Sequence, residues 1–505
     1  MNYKYNPAHG GGYGPSKFDR GADVPRGRYA ETGRFGRMLP YLRSLKSFKP
    51  GPAELGRVGG PMDGGSPGPQ DTSQNNSRIT AGYTFLGQFI DHDLTLDATS
   101  TLEQQIDPHA TRNFRTPALE LDSVYGLGPK VQPYLYEKNN PGRLLLGPDG
   151  ADVPRNSEGI ALIGDPRNDE NIVVSQFHRL MLLFHNKVFD DHTDPSMGIQ
   201  ERFEEAQHLV RWHYQWIVVN EFLPRTVGRR AITRALEHMP FRFTDERGAF
   251  MPVEFSVAAY RFGHSQVRPG YLLSAPGAQP IRAAGIFPDV ADAPESVGDL
   301  RGRRAVPPEL RIDWEAFFGP TAQAGKLIDI RISTALLQLP NTVLDPSTAD
   351  VGSADARTRS LAARNLQRGL DARLPSGQDV ARHFGGVRKL TEAQIWNGVP
   401  GGEGPAPLWF YILREAEVLT GGQRLAGVGA QIVARTFAAI LEADKASYVV
   451  QEPDWQPHLG PVEGRFTVSD LVNFTLGTTL GHEDLQPVET AESKPAETPQ
   501  PVPAQ

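Results

Sequence analysis

The sequence predicts a mainly α-helical protein folded as one large domain with few short strands. Two long stretches, residues 170–191 and 199–222, repeat apolar residues at helical spacing, and the second is expected to end before Pro224. Shorter helical patterns recur at residues 254–268, 326–338, 355–370, 378–384, 408–419 and 427–443. Strand signals are few, and neither an internal repeat nor a clean interdomain linker interrupts the chain, which favours a single helical core.

The two ends of the chain differ in composition from its middle. Residues 1–77 are rich in Gly, Pro and Arg and predict an irregular wrapping arm, whereas residues 485–505 are rich in Pro, Glu and Ala and predict a disordered tail. The domain is therefore expected to span residues 78–484. Within the arm, residues 64–68 match the nucleophile elbow G-x-S-x-G, but that motif needs a strand before it and a helix after it, so we interpret the match as chance.

Composition excludes several classes of function. The net charge of −7 gives no electrostatic footprint for nucleic acid or an anionic membrane surface. The chain has no cysteine, which rules out disulfides, thiolate chemistry, cysteine-based zinc sites and iron–sulfur clusters. No apolar run is long enough for a transmembrane helix, and no signal peptide follows Met1. The expected compartment is the cytoplasm, with secretion without a cleaved signal left open and the oligomeric state undetermined.

The stretch from Gly87 to Leu94 concentrates polar side chains in otherwise apolar sequence. Within a helix expected over residues 84–94, Gln88, Asp91 and His92 fall at i, i+3 and i+4 and share one face. Such a face is costly to bury. A capped helix end with an ordinary core histidine is the simpler interpretation, but several distant segments carry matching polar residues.

Each of those segments contains charged or polar residues that lie one helical turn apart or in the same loop. Arg261 and His264 form one such pair, beside Gly263, which leaves room for a flat group to approach. Asn365 and Arg368 form another. The segments are Gly164-Asp165-Pro166-Arg167-Asn168-Asp169-Glu170, the loop at residues 116–122 with its oxygen donors, residues 258–264 and residues 364–368.

By contrast, Gly427-Val428-Gly429 lacks the strand and third glycine of a dinucleotide fingerprint, so we expect a helix start packed closely on a neighbour.

Taken together, the motifs resemble the animal-type haem peroxidases of the peroxidase–cyclooxygenase superfamily, in the shorter form of their bacterial members. They occur in the family's order and span roughly residues 80 to 445, which is far more specific than any one motif. The matching segments are Gly87 to Asp93, Leu121 to Gly126, Gly164 to Arg167, His178 to Asn186, Asn220 to Pro224, Tyr260 to His264 and Asn365 to Arg368.

This resemblance implies a haem b cofactor and a set of roles. His264 would be the axial ligand of the iron, and Asn365 would accept the hydrogen bond from its other ring nitrogen. His92 would be the distal base that moves the peroxide proton, with Arg167 stabilising the developing charge. Gln88 would bind distal water or a halide. Two arginines, Arg261 and Arg368, would pair with the haem propionates.

The resemblance also implies covalent links and a calcium site. Asp91 and Glu170 stand where relatives form ester links to the haem, whereas Asn171 replaces a methionine that forms a third link, so efficient chloride oxidation is not expected. Calcium would be held by oxygen atoms of Asp93, Thr116, Ala118, Glu120 and Asp122. Mammalian relatives have Asp and Ser at the last two of these positions, which leaves direct ligation by Glu120 in doubt.

The expected function is peroxidase chemistry: reduction of hydrogen peroxide with oxidation of iodide, bromide, thiocyanate or a phenolic donor. The resemblance suggests oxidant defence or halide-based antimicrobial chemistry as its biological role. Two alternatives stay open. The family's fatty-acid dioxygenases carry a radical tyrosine three residues before the axial histidine, where this chain has Arg261 and Tyr260 is one residue off. A non-catalytic haem- or calcium-binding protein would not require the set Gln88, His92 and Arg167. The histidines His178, His185, His208 and His213 are expected to be structural.

Overall fold

The computed structural model describes residues 35–95, 116–237, 244–245, 248–275, 277–288, 298–340 and 359–481. These residues fold mainly into helices with a few two-residue to six-residue strands, which confirms the predicted fold class. The α-helices are Pro52–Leu55, Gly82–Leu94, Asp122–Tyr125, Ile172–Asp191, Ile199–Ile217, Leu223–Val227, Arg229–Glu237, Glu315–Phe318, Thr334–Leu337, Leu361–Asp371, Gly377–Phe384, Glu392–Ile395, Leu408–Thr420, Gly427–Ala443, Tyr448–Gln451 and Val468–Leu476. The predicted tail at residues 485–505 lies outside the described residues.

Tighter and wider turns supplement the α-helices. Four 3₁₀ segments cover Pro133–Leu135, Pro166–Asp169, Ala259–Gln266 and Pro308–Leu310, and two π segments cover Val218–Phe222 and Glu254–Ala258. The strands pair two by two: Phe35–Gly36 with Met251–Pro252 in parallel, and Asn75–Thr80 with Ala324–Lys326, Thr244–Asp245 with Gly248–Ala249, and Gly270–Leu272 with Ala283–Gly285 in antiparallel. Among the described residues, no helix combines the length and apolar character that a bilayer crossing needs.

The core is built around helix Gly82–Leu94, which we call the His92 helix. It packs against helix Ile172–Asp191, here the His178 helix, and against the 3₁₀ segment Ala259–Gln266, here the His264 segment. Phe89 lies at its centre, with the rings of Phe177 and Tyr214 edge-on at 5.0 and 6.2 Å. The helix that carries His92 is therefore fixed by buried aromatic contacts about one turn before His92.

Most helical patterns were placed correctly, but the helix expected to end before Pro224 continues to Val227. A proline inside an α-helix loses one backbone hydrogen bond, and its ring clashes with the carbonyl four residues earlier. Here the preceding residues Val218–Phe222 form a π turn, whose wider winding changes the position of that carbonyl. The prediction was wrong because sequence periodicity gives no sign of the π turn.

The helix predicted over residues 326–338 is also mostly wrong, since only Thr334–Leu337 is helical. Side chains take the place of the helix hydrogen bonds. Asp329 Oδ1 accepts from the Arg331 amide at 2.9 Å and from Lys326 Nζ at 2.9 Å, while the Asp329 amide donates to Ser265 Oγ at 3.0 Å. Such local side-chain bonds compete with a helix. They also tie this segment to the residue next to His264.

The glycine pair Gly427 and Gly429 behaves as predicted. It lies at the start of helix Gly427–Ala443, and a Cβ atom on Gly427 would collide with the Glu415 carboxyl group. The same carboxyl accepts the Gly429 amide proton at 3.2 Å. The pattern marks a close helix contact and no nucleotide site.

Candidate active site

His92 lies at the end of its helix, where the chain segment at residues 165–171 covers it. Its side chain is 4% exposed. Nδ1 lies 2.7 Å from Asn168 Oδ1, and Nε2 lies 3.6 Å from Glu170 Oε1. The ring is therefore held through Nδ1, and Nε2 is the nitrogen directed towards the other predicted site residues.

Arg167 is bound to the same helix end. The segment begins with Asp165, which accepts the Arg167 amide proton at 2.9 Å as the cap of the 3₁₀ turn Pro166–Asp169. The Asp165 carboxylate also takes two guanidinium hydrogen bonds, at 3.1 Å from Nε and 2.8 Å from Nη2. Nη2 donates as well to the backbone carbonyl of His92 at 3.0 Å. The cap, the arginine and the histidine thus form one rigid unit.

Gln88 connects the His92 helix to the start of the His178 helix. Its Nε2 donates to Glu170, and its Oε1 accepts from Asn171 Nδ2 at 3.0 Å. Asn171 in turn caps the His178 helix through the Val174 amide at 2.9 Å. Both ends of the Gln88 amide thus contact protein, in addition to any water or halide contact that the sequence suggested.

The two carboxyl groups of this site are accessible although they lie deep in the fold. The Glu170 side chain is 39% exposed, yet burial raises its pKa to about 7, against the opposing effects of Arg167 and Gln88. Asp91 is half-buried, and burial raises its pKa in spite of the charges of Arg167 and Arg261. Burial removes water from around the charged form and therefore favours the protonated carboxyl.

On the other side, the 3₁₀ winding of the His264 segment places Arg261 and His264 three residues apart on one face. His264 Nδ1 lies 2.7 Å from Asn365 Nδ2, and Arg261 Nη1 donates to Asn365 Oδ1 at 3.3 Å. Burial lowers the pKa of His264 to about 3, so the ring is neutral. Arg368 lies one turn after Asn365 on helix Leu361–Asp371.

The pair His264 and Asn365 is therefore present, but its direction differs from the expectation. An amide nitrogen only donates, so Asn365 is the donor and His264 Nδ1 the acceptor. The reason is Arg261, whose guanidinium has donors only and occupies the Asn365 oxygen. The acceptor role of Asn365 towards a haem-bound His264 stays a prediction.

Contacts between the two sides bring the predicted residues to one place. Tyr260 Oη donates to the Gly87 carbonyl on the His92 helix at 3.3 Å. The charges of Arg167 and Arg261, from opposite sides, both act on Asp91. A Cβ atom added to Gly263 would meet nothing within 4 Å, so open space adjoins His264. A neutral histidine, two arginines and the open space at Gly263 fit a haem.

The predicted calcium residues are buried together beside the His92 helix. Asp93, Glu120 and Asp122 are 0%, 2% and 5% exposed, and Leu121 donates its amide proton to Asp93 Oδ2 at 3.2 Å. Thr116 and Ala118 are buried in the same loop, which is described from residue 116 onwards. No cluster of three or more His, Cys, Asp or Glu side chains with metal-site geometry is found among the described residues.

Several residues with specific contacts had no role in the sequence-based assignment. They are Asp165, Asn168 and Asn171. Asp165 carries a recognisable signal, because an Asp before Pro is typical of a helix start. The role of Asn168 depends on contacts with residues 92 and 178, which no local pattern reveals. Of the structural histidines, His185 has both nitrogens bonded, to Tyr125 Oη and the Gly142 carbonyl, whereas His178 has only Nδ1 bonded.

Comparison with curated proteins places the chain among peroxidases. It is 26% identical to eosinophil peroxidase of Homo sapiens over 242 residues, which are 45% of this chain and 29% of that protein. It is 27% identical to chorion peroxidase of Drosophila melanogaster over 301 residues, 56% of this chain and 34% of that protein. The chain therefore covers only about a third of the length of these relatives.

Solved structures share the fold. Peroxidase A from Dictyostelium discoideum superposes with a TM-score of 0.61 at 16% identity, covering 88% of this chain and 93% of that chain. A fatty acid alpha-dioxygenase from Oryza sativa superposes with a TM-score of 0.54 at 16% identity, covering 74% and 70%. At this level of identity the likeness concerns the fold, which peroxidases and dioxygenases have in common.

A family description provides the most specific match. The pattern described as animal haem peroxidase matches residues 102–398, more than half of the chain. The matched range includes Arg167, His264 and Asn365 and begins beyond the His92 helix, so the role of that helix rests on its contacts. The chain belongs to the animal haem peroxidase family.

Proposed function

We propose that the protein is a haem-dependent peroxidase that reduces hydrogen peroxide and oxidises small donors. The observation that carries the proposal is the placement of His92, whose Nε2 is directed away from its Asn168 anchor, on a helix that contacts the segment of His264. A haem-binding protein without catalysis needs an axial ligand, but it does not need a second anchored histidine with an arginine bonded to its backbone.

The residues that would hold haem b follow from the chemistry of each side chain. His264 would bind the haem iron through Nε2, which requires the ring proton on Nδ1 and the Asn365 amide turned so that Oδ1 accepts it. Arg261 and Arg368 would pair with the propionates. Asp91 and Glu170 would be the sites of ester links, which remain a prediction from the family resemblance. The bound haem supplies an iron at which hydrogen peroxide is activated.

The chain's own contribution is to move one proton and stabilise one charge. His92 Nε2 takes the proton from one oxygen of hydrogen peroxide and delivers it to the other, which leaves as water. The positive charge of Arg167 stabilises the negative charge that develops on the leaving oxygen. Because Arg167 is fixed by Asp165 and by the His92 carbonyl, this charge needs little rearrangement.

The donor class is the finer part of the proposal. Iodide, bromide, thiocyanate and phenols are the expected donors, since the position of the third covalent link of chloride-oxidising relatives is Asn171. A fatty-acid dioxygenase is the second candidate, because such enzymes share the fold. Against it stands Arg261 at the position of their radical tyrosine. The neighbouring Tyr260 is buried, stacks on Phe255 at 4.7 Å and bonds its hydroxyl to Gly87.

The first test is the absorption spectrum of the full chain reconstituted with haem. The Soret band should shift on addition of hydrogen peroxide and return when bromide, iodide, thiocyanate or a phenol is added separately, and the donor that restores it fastest defines the substrate class. Oxygen uptake with linoleate should stay at background. A Soret band that ignores peroxide would refute peroxidase function, and rapid oxygen uptake with linoleate would establish the dioxygenase instead.

We further propose that calcium binds beside the His92 helix. Within the part of the chain that the structure describes, the Thr116 hydroxyl is buried without a hydrogen-bond partner, and the side chains of Asp93, Glu120 and Asp122 are buried as well. Leu121 between them has a left-handed backbone with φ 59°, which is strained for leucine. Buried carboxylates and backbone oxygens suit a hard cation better than a dry core. Since Asp93 follows His92, the cation would also fix the end of that helix.

Removing calcium tests this site. After treatment with a chelator, added calcium should raise the melting temperature by several degrees, because a ligand at 100 times its Kd stabilises by about 2.7 kcal/mol. Elemental analysis should find one calcium per chain before chelation. Asp122→Asn should weaken the effect, whereas Asp194→Asn, at an exposed position, should leave it intact. No bound calcium together with an unchanged melting temperature would contradict the site.

A further inference from the structure

A line of three buried side chains leads away from His92. Asn168 Oδ1 lies 2.7 Å from His92 Nδ1, and Asn168 Nδ2 lies 3.0 Å from His178 Nδ1. Asn168 and His178 are both 0% exposed. The three residues come from the His92 helix, the 3₁₀ turn Pro166–Asp169 and the His178 helix, so the line joins three separate elements.

The chemistry of the Asn168 amide determines which group donates and which accepts in each of these two hydrogen bonds. An amide oxygen only accepts, so neutral His92 must carry its proton on Nδ1 and have a lone pair on Nε2. An amide NH₂ group only donates, so His178 must accept through Nδ1. With the amide reversed, His92 would carry its proton on Nε2 and could not take one from peroxide. The orientation of a single amide therefore decides whether His92 is a base.

His178 makes little sense as a purely structural residue. Its Nε2 is buried without a hydrogen-bond partner, which costs about 1–3 kcal/mol. His185, on the same helix and equally buried, has partners for both nitrogens. Among the described residues, the one hydrogen bond of the His178 side chain is to Asn168. Because burial lowers its pKa to about 3, it stays an uncharged acceptor at the pH values at which the protein would work.

We propose that Asn168, oriented by His178, is a positioning residue that keeps His92 in the tautomer with an unprotonated Nε2. The inference rests on the proposed peroxidase function for its purpose, while the tautomer itself is a property of the polypeptide. Other charged groups near His92, namely Glu170 at 3.6 Å and Arg167 at its carbonyl, are the same in every variant below.

The tautomer is tested directly by nitrogen NMR of protein prepared without haem and labelled with ¹⁵N-histidine. Protonated and unprotonated ring nitrogens resonate far apart, and the His92 signals are identified by their loss in His92→Gln. Wild-type protein should show protonated Nδ1 and unprotonated Nε2. In Asn168→Ala the Nε2 nitrogen should become largely protonated, because the acceptor for Nδ1–H is gone. A wild-type His92 with a protonated Nε2 would overturn the proposal.

The kinetic test uses haem-reconstituted variants and the rate of the Soret change with peroxide. Asn168→Ala should slow this step about 10- to 100-fold, the range for loss of a group that orients a functional histidine, with haem content unchanged. Asn168→Asp keeps an acceptor for Nδ1–H, so it should restore most of the rate. His178→Phe should lower the rate in the same direction.

A matched control is His185→Phe, which removes an equally buried histidine from the same helix and should leave the peroxide rate unchanged. If the His185 and His178 variants slowed the reaction equally, the effect would come from lost helix stability. That result would overturn the proposed role of Asn168 and His178. Failure of Asn168→Asp to restore the rate would do the same. Wild-type protein that ignores peroxide would instead refute the proposed function, and the NMR measurement would still decide the role of Asn168.

Discussion

Replacing His264 by alanine should abolish stable haem binding. His264 is the neutral histidine next to the open space at Gly263, and its ring is oriented by Asn365, which is 2% exposed. Loss of an orienting partner costs about 10- to 100-fold in metal affinity, and loss of the ligand itself should exceed that. Titration of protein with haemin should therefore give no Soret band typical of histidine ligation and a haem affinity reduced by more than about 100-fold.

The matching variants separate ligation from folding. Asn365→Ala should bind haem with an intermediate loss, because the ligand remains but its orientation is no longer fixed. His208→Ala, on helix Ile199–Ile217, removes a half-buried histidine outside the site and should bind haem normally. If His264→Ala bound haem with an unchanged spectrum, another residue would be the ligand and the assignment of the two sides of the cavity would be wrong.

Replacing His92 by alanine should have the opposite pattern: haem stays bound and the reaction with peroxide fails. A positioned general acid–base typically contributes about 10²- to 10⁴-fold, and this is the expected drop in the rate of the Soret change. Haem binding should survive because the ligand side is untouched. The peroxidase rate should fall with every donor tested, because the step that His92 carries out precedes oxidation of the donor.

Two measurements distinguish loss of the catalytic base in this variant from a loss of folding. The variant leaves the Asn168 oxygen without its partner, so thermal unfolding should show a modest loss of stability, about 1–3 kcal/mol. High concentrations of a small imidazole should restore part of the rate, because the cavity left by the side chain can hold a free base. A peroxide rate equal to that of wild type would show that His92 is not the base.

Sequence reasoning placed the helices well where they are amphipathic and capped. The His178 helix was predicted at residues 170–191 and observed at Ile172–Asp191, with Asn171 as its cap. It failed where tertiary contacts replace backbone hydrogen bonds. Near Asp329, side chains from the His264 segment compete with a helix. The His264 segment itself is a π turn followed by 3₁₀ winding, a distinction that apolar spacing does not encode.

The candidate site shows the same division. Roles for His92, Arg167 and His264 were predicted because each residue belongs to a motif with its own order and spacing, and those roles stay predictions. The partner residues that set the protonation of these side chains could not be predicted. The direction of the Asn365 bond depends on Arg261, and the tautomer of His92 depends on Asn168 and therefore on a histidine of another helix. Hydrogen-bond direction is a property of a closed network, which a linear pattern does not contain.

One contact behind the site has a consequence for how the chain assembles. The carboxylate of Glu254, at the start of the π turn that leads into the His264 segment, accepts the backbone amide protons of Met38 and Leu39 at 2.9 and 3.1 Å. The partners are 216 and 215 residues apart in the chain. Contacts of such separation form late, because a long loop must close first.

During synthesis, this separation in sequence delays formation of the contact. At translation rates of about 5–20 residues per second, the amides of Met38 and Leu39 leave the ribosome about 10–40 s before the carboxylate that they bind. Until then, the first described residues of the chain cannot take up their final place. Once joined, they close a buried carboxylate that is 0% exposed and whose pKa burial raises. The His264 segment is thus completed by residues that are synthesised 216 and 215 positions before Glu254.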